Sequence, residues 1–227
     1  MPSTKPKILV QLDTDPQPSV FDAVVAVDAG VEHLFRHGGV TPGNVRDLVY
    51  GALFTRGPDD LPHTALFVGG SDVAAGEAVL RAIEDTFFAN FRVSVLLDAN
   101  GANTTAAAAV LAALESSGGS LQGVRAAVLA ATGPVGQRVA RLLGRLGAAV
   151  AVGSRSLDRA RATAEALHAT TGATYTPFAG GTPEELAQGL AGASVVVAAG
   201  ASGVTLLPAS VRAGLPDLKV AIDLNAP

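Results

Sequence analysis

The sequence predicts an α/β protein of two domains, each with a parallel sheet covered by helices. Three observations carry that prediction. Short apolar runs alternate with helical periods along all 227 residues. The runs are apolar throughout rather than alternating, as strands buried on both faces are. One of them leads directly into a glycine turn, Ala131-Thr132-Gly133-Pro134-Val135-Gly136, which opens a helix.

The elements follow in order. Residues 7–13 (KILVQLD) read as a strand, and Ser19 caps a helix to Ala29 with Asp22 three residues on. Thr41-Pro42 supplies a cap and a first-turn proline for a helix over 43–53. Residues 63–69 form the next strand, and Ser71 caps a helix to Phe88 with Val79, Ile83 and Phe87 on one face. A strand over 92–98 leads to a helix over 104–117, and the Gly/Ser-rich stretch 116–123 marks a boundary. This divides the chain into domains 1–118, with 104–117 as connecting helix, and 119–227. The second domain reads as strands 126–131, 149–153, 174–178, 194–199 and 219–223, with helices over 135–146, 157–170 and 183–190. No solenoid repeat or low-complexity tail interrupts the pattern.

Composition narrows the function classes. The chain is 48% hydrophobic and 4% aromatic, so its core is built from Ala, Val and Leu. It has no Cys, which removes disulfides, thiolate metal sites and cysteine nucleophiles. No apolar run is long enough to span a bilayer, and Asp13 follows the start too closely for a signal peptide, so a soluble cytoplasmic protein is expected. A net charge of −4 gives no reason to expect nucleic-acid binding. Residues 1–118 hold seven Lys/Arg against 14 Asp/Glu, and residues 119–227 hold nine against six, so the halves are built for different electrostatic tasks.

The glycine turn is the most informative stretch. It matches the dinucleotide-binding fingerprint of a Rossmann-type domain with Ala131 in place of the first glycine. Gly133 lets backbone approach a pyrophosphate, and Gly136 lets the helix lie close to the strand. Thr132, Gly133, Pro134, Val135 and Gly136 are the candidate pyrophosphate site at a helix N-terminus. The end of the following strand selects the cofactor. An NAD site places a carboxylate there, whereas this chain has Ser154-Arg155-Ser156, with Arg159 one turn on. These groups suit a 2′-phosphate, so NADP is the expected cofactor. Gly200 and Ala201, after the strand over 194–199, are candidates for the nicotinamide side.

In the N-terminal half, carboxylates follow strands. Asp13 and Asp15 close the first, Gly69-Gly70-Ser71-Asp72 closes the strand over 63–69, and Asp98-Ala99-Asn100-Gly101-Ala102-Asn103 closes that over 92–98. A parallel sheet gathers all three at one edge, facing a cleft. Arg56 is either a loop residue or a ligand for an acidic substrate tail. His33 and His37 read as surface or loop residues, and no metal site is expected. His63 opens a strand, and His168 closes a helix against its last carbonyls.

Four segments, QLDTDPQPSVFDAVVAVDAG, FVGGSDVAAGE, LLDANGANTTAAA and ATGPVGQR, resemble the bacterial NADP-dependent methylene-tetrahydromethanopterin dehydrogenases. The similarity runs across essentially the whole chain. It implies a pterin-binding N-terminal domain and a Rossmann-type NADP domain. It also implies oxidation of the methylene bridge of methylene-tetrahydromethanopterin, in some members of methylene-tetrahydrofolate, to the methenyl form. Formaldehyde oxidation, one-carbon metabolism and homo-oligomeric assembly come with the same resemblance. The chain departs from the family pattern in two places. Ala131 stands where members usually carry Gly, with an expected shift of the pyrophosphate or weaker cofactor binding. Members also continue beyond the strand that ends here at Asp223-Leu224-Asn225-Ala226-Pro227, with a segment that returns to the cleft.

Hydride loss from a carbon between two nitrogens leaves a stabilised cation, so no general base is obligatory. Orientation and nearby negative charge do most of the catalysis. Asp98 is the expected pterin or cation contact, with Asp13 and Asp15 at the pocket edge and Asn100 and Asn103 on the pterin. Two alternatives remain at this level. One is a shikimate-dehydrogenase-like NADP reductase, which would need a Lys/Asp pair that Lys5, Lys7 and Lys219 do not form. The other is an NADP- or pterin-binding protein without catalysis.

Overall fold

Strands and helices alternate from end to end, and chain contacts group them into two units, residues 1–101 and 102–227. The structure, a computed structural model, describes residues 5–226. The leader reading at residues 1–4 and the chain end at Pro227 lie outside the described residues.

In the first unit four parallel strands, β1 (Ile8–Asp13), β2 (His33–His37), β3 (Thr64–Gly69) and β4 (Ser94–Leu97), lie in the order β2-β1-β3-β4. Helix α1 (Val20–Asp28) lies on one face. Helices α2 (Val45–Phe54) and α3 (Val73–Thr86) pack on the other, around Val10, Leu12, Leu66, Val68, Val49, Leu53, Val79 and Ile83. Ser19 caps α1 as expected, its hydroxyl accepting the Asp22 amide at 3.2 Å. The cap of α3 is Asp72 rather than Ser71: its Oδ1 accepts the amides of Ala74 and Ala75.

Two histidine readings change. His33 and His37 are the ends of β2, not loop residues; three of its five residues are solvent-exposed, so it lacks the continuous apolar run that marks a central strand. His63 ends a 3₁₀ turn (Pro58–His63), and β3 begins at Thr64.

In the second unit β5 (Arg125–Leu129), β6 (Ala149–Ser154), β7 (Tyr175–Ala179), β8 (Val195–Ala198) and β9 (Val220–Asp223) form a parallel sheet in the order β7-β6-β5-β8-β9. Helices α4 (Ala102–Ser116), α5 (Pro134–Arg145) and α6 (Leu157–Thr171) cover one face, and α7 (Pro183–Gly189) and α8 (Ala209–Ala213) the other. Counted within this unit, the order is that of a Rossmann-type sheet, 3-2-1-4-5. The expected domain division at 118/119 differs from the contact grouping in its treatment of α4, whose Ala106, Ala109 and Ala113 share a core with Val139 and Leu143 of α5. Alanines let two helix backbones approach closely, which ties α4 to this unit. No described helix is long and apolar enough to cross a membrane.

Candidate functional site

In the second unit, β5 and β8 are neighbours, with Leu129 paired to Ala198. The chain leaves them for opposite faces, to α5 and to α8, which makes their carboxyl ends the switch point where open α/β sheets bind ligands. The turn 131–136 follows one strand and Gly200-Ala201 follows the other, so the structure brings the two predicted nucleotide loops together.

The two glycines of the turn act differently. A Cβ on Gly136 would lie 2.6 Å from the Ala130 oxygen and 2.8 Å from the Ala131 Cα, so only glycine lets α5 sit this close to β5. A Cβ on Gly133 would meet nothing nearer than the Ala130 oxygen at 3.5 Å, which leaves open space above its backbone. No side chain caps α5, and Pro134 at its start has no N–H, so the amides of Val135 and Gly136 head an uncapped helix. That cradle fits a pyrophosphate. The Ala131 methyl is buried in the core shared with α4 and α5, and its amide donates to the Gly153 carbonyl at 2.9 Å. It therefore points away from the cradle, contrary to the expected disturbance. The left-handed residue of the turn is Ala130, with φ 54°, a position that sequence reading missed.

Beyond β6, the Ser154 hydroxyl accepts the Ser156 amide at 3.3 Å, and the Ser156 hydroxyl accepts the Arg159 amide at 3.4 Å. Both hydroxyls keep their O–H free to donate. Arg155 is exposed between them, and the Arg159 guanidinium reaches the Thr132 hydroxyl at 3.5 Å. The nearby Asp158 carboxylate turns to Arg161 at 3.4 Å. This donor set, two hydroxyls and two guanidinium groups, fits a 2′-phosphate. Asn225, also missed, is 2% exposed and shapes the opposite loop: its Oδ1 accepts the Gly200 amide at 2.5 Å and its Nδ2 donates to the Val204 carbonyl.

In the first unit the carboxyl ends of β1, β3 and β4 bring Asp13, Asp15, Gly69-Gly70-Ser71 and Asp98 to one edge. Asp13 is 1% exposed, and its two oxygens accept the amides of Asp15 and Ser19 at 3.0 Å, so it braces the β1–α1 loop from within. Asp15 accepts from the Ser71 amide and hydroxyl. Gly70 has φ 116°, and any Cβ there would collide with the Thr14 hydroxyl, so the two loops meet backbone to side chain. Asn100 is exposed in the left-handed region, φ 54°, with its amide on the Gly70 carbonyl.

Asp22, missed as a site residue because it reads as a first-turn cap partner, joins this edge. Its Oδ2 and that of Asp13 both lie 3.4 Å from where a Gly69 Cβ would sit. Burial raises the Asp22 carboxyl above its ordinary range; a hydrogen bond from Ser19 opposes this, and the negative charges of Asp13 and Asp98 add to it.

Two predicted substrate contacts lie elsewhere. Arg56 donates to the backbone carbonyls of His63 and Pro6, at the amino ends of β3 and β1, the opposite end of the sheet. A guanidinium holding two backbone carbonyls there cannot bind a ligand at the carboxyl edge. Asn103 is in α4 of the second unit, where its Oδ1 accepts from Arg138 at 2.5 Å.

Solved structures share this fold. Quinate dehydrogenase from Corynebacterium glutamicum in complex with NAD matches with TM-score 0.55 and 15% identity, covering 96% of this chain and 79% of that one. The ligand-free 5-ketofructose reductase of a Gluconobacter strain matches with TM-score 0.58 and 17% identity, covering 97% and 79%. At these identities they show the fold alone. Residues 20–100 match the family described as methylene-tetrahydromethanopterin dehydrogenase, N-terminal. The chain is 44% identical over 220 residues to the bifunctional protein MdtA of Methylorubrum extorquens, covering 97% of this chain and 76% of that protein. It is 31% identical over 214 residues to the NAD(P)-dependent methylenetetrahydromethanopterin dehydrogenase of the same organism, covering 92% and 72%. With identity of this extent spanning both units, the chain belongs to the methylene-tetrahydromethanopterin dehydrogenase family.

Proposed function

We propose that this protein oxidises methylene-tetrahydromethanopterin to the methenyl form with NADP as hydride acceptor. Identity to a dehydrogenase of that name over both units carries the reading. The donor set at the switch point of the second sheet supports the choice of phosphorylated cofactor.

In this reading Gly133, Val135 and Gly136 bind the pyrophosphate through backbone, with Thr132 and Pro134 fixing the turn. Ser154, Arg155, Ser156 and Arg159 hold the 2′-phosphate, and Gly200 and Ala201 border the nicotinamide. NADP supplies the electrophilic ring carbon that accepts the hydride. The pterin belongs to the carboxyl edge of the first sheet, at Asp15, Asp98 and Asn100. Asp13 acts there as a brace for Asp15 rather than as a catalytic group.

The methylene carbon loses a hydride and its flanking nitrogen supplies the lone pair, so the product is a cation and no proton is removed. The residues of the chain have two tasks. They orient two rings with the reacting atoms about 3–3.5 Å apart, and they place negative charge where positive charge grows. Asp98 is the group assigned to the second task. Formaldehyde oxidation, use of methylene-tetrahydrofolate, a cytoplasmic location and homo-oligomeric assembly belong to the same proposal.

The test is the appearance of NADPH absorbance with methylene-tetrahydromethanopterin and, separately, methylene-tetrahydrofolate. Turnover of the first is expected. Cofactor binding with turnover of neither would overturn the reading.

A further inference from the structure

Helix α1 is built inside out. Its inward residues are small or polar: Ala23 is buried, and Asp22 and Ala26 are half-buried. Its large apolar residues face outward, with Val20 60%, Phe21 77%, Val24 54%, Val25 50% and Val27 56% exposed. At 100° per residue these five fall on one broad face, where Asp28 is the single charge. A helix apolar on its outer side signals a covered surface.

The helix leans on β2, and β2 is the edge of its sheet. The His33 amide bonds toward β1, at the Lys7 carbonyl. By the two-residue period, the backbone groups of Leu34 and Arg36 therefore point outward without a strand partner. Phe35 pairs with Val10 in register, so it stands on the sheet face opposite α1, and it is 52% exposed. The edge of this unit thus offers open ladder groups with apolar side chains above and below.

We propose that this edge, α1 together with β2, is the contact surface for a second copy of the chain. A two-fold axis perpendicular to the sheet at Phe35 would pair β2 with its copy antiparallel, Leu34 opposite Arg36. It would also place α1 against α1 on one face and Phe35 against Phe35 on the other. Such an isologous contact sets apolar surface on apolar surface and removes an open edge. The exposed side chains present on the order of 600 Å² of apolar area, most of the ~800 Å² per partner of a stable interface. With one charge on the helix face, there is little for an oppositely charged partner to recognise. The inference rests on the homo-oligomeric part of the proposed function and not on the catalytic part.

The absence of cysteine makes the test clean. The wild-type mass is measured by light scattering at tens of micromolar. A Phe21→Glu/Val24→Glu variant is measured beside it, with far-UV circular dichroism as a check on folding. Phe35→Cys and Phe54→Cys, the latter also exposed and placed at the end of α2, are oxidised under the same conditions. The surface predicts a wild-type oligomer, a double variant with association weakened at least about 100-fold, and a covalent dimer from Phe35→Cys only. A monomeric wild type would overturn both this surface and the homo-oligomer reading. An oligomer that survives the double variant, with no Phe35→Cys dimer, would overturn the surface alone. Lost helicity at unchanged mass would show that α1 is covered within its own chain, and would overturn the surface too. Turnover of the wild type is scored separately and tests the catalytic reading.

Discussion

Asp15 at the end of β1 holds Ser71 after β3: its carboxylate accepts the Ser71 amide and the Ser71 hydroxyl, each at 2.9 Å. The two strands are neighbours whose loops part company here, so the pair sets the width of the sheet's open edge. Asp15→Ala should cost about 1–2 kcal/mol, the scale of hydrogen bonds to a charged group, and should raise the KM for the pterin more than it lowers kcat. Ser71→Ala keeps the amide contact and should do less on both counts. Equal losses for the two variants, by chemical denaturation and steady-state kinetics, would show that the pair does not shape this edge.

Gly133 and Gly136 should separate stability from binding. Gly136→Ala drives a methyl into the Ala130 carbonyl and the Ala131 backbone, which cannot rotate away. A loss of about 1–3 kcal/mol is expected, the scale of overpacking. Gly133→Ala meets only ordinary contacts, so its melting temperature should stay close to wild type while NADP affinity falls. Thermal denaturation with cofactor titration checks both; undiminished NADP affinity in Gly133→Ala would remove the pyrophosphate from this turn.

Much of this was legible before the structure. The second unit is apolar strand by strand, and the turn at Gly133 names its own geometry, so both nucleotide loops could be located from spacing. The carboxyl edge of the first sheet was legible for the same topological reason. What escaped depends on three-dimensional partners. β2 is an edge strand whose exposed His and Arg residues hide its period. Arg56 became a brace because the chain folds the carbonyls of Pro6 and His63, distant in sequence, onto one guanidinium. Ala130 takes the left-handed conformation that a sequence reader assigns to glycine, and Asp22 reaches the edge only because α1 starts beside Gly69.

The Asp22 carboxyl predicts a pH signature. Its folded value lies above the ordinary 3.8, so the folded state holds this proton more tightly than the unfolded one. The resulting stabilisation is complete below about pH 3.8, is lost as pH rises toward the folded value, and is absent above it. Asp22→Asn removes that dependence. The stability of the variant relative to wild type should therefore increase from pH 4 upward and then level off, as read from urea midpoints. A difference that is flat across the acid range would show that burial does not perturb this group.

Arg155 should decide between the two nicotinamide cofactors. It stands exposed between two serines whose hydroxyls are already turned by the backbone of α6, so a 2′-phosphate would gain a charge-assisted contact without reorganising the loop. The 2′-hydroxyl of NAD offers no charge there. Arg155→Asp should weaken NADP binding about 100-fold, the scale of losing one such contact and adding repulsion, and leave NAD nearly unchanged. Arg159→Ala should act in the same direction but less, because its guanidinium is shared with the Thr132 hydroxyl beside the pyrophosphate turn. Equal losses for the two cofactors in fluorescence titrations would assign both arginines to the common pyrophosphate, and the preference for NADP would then need another origin.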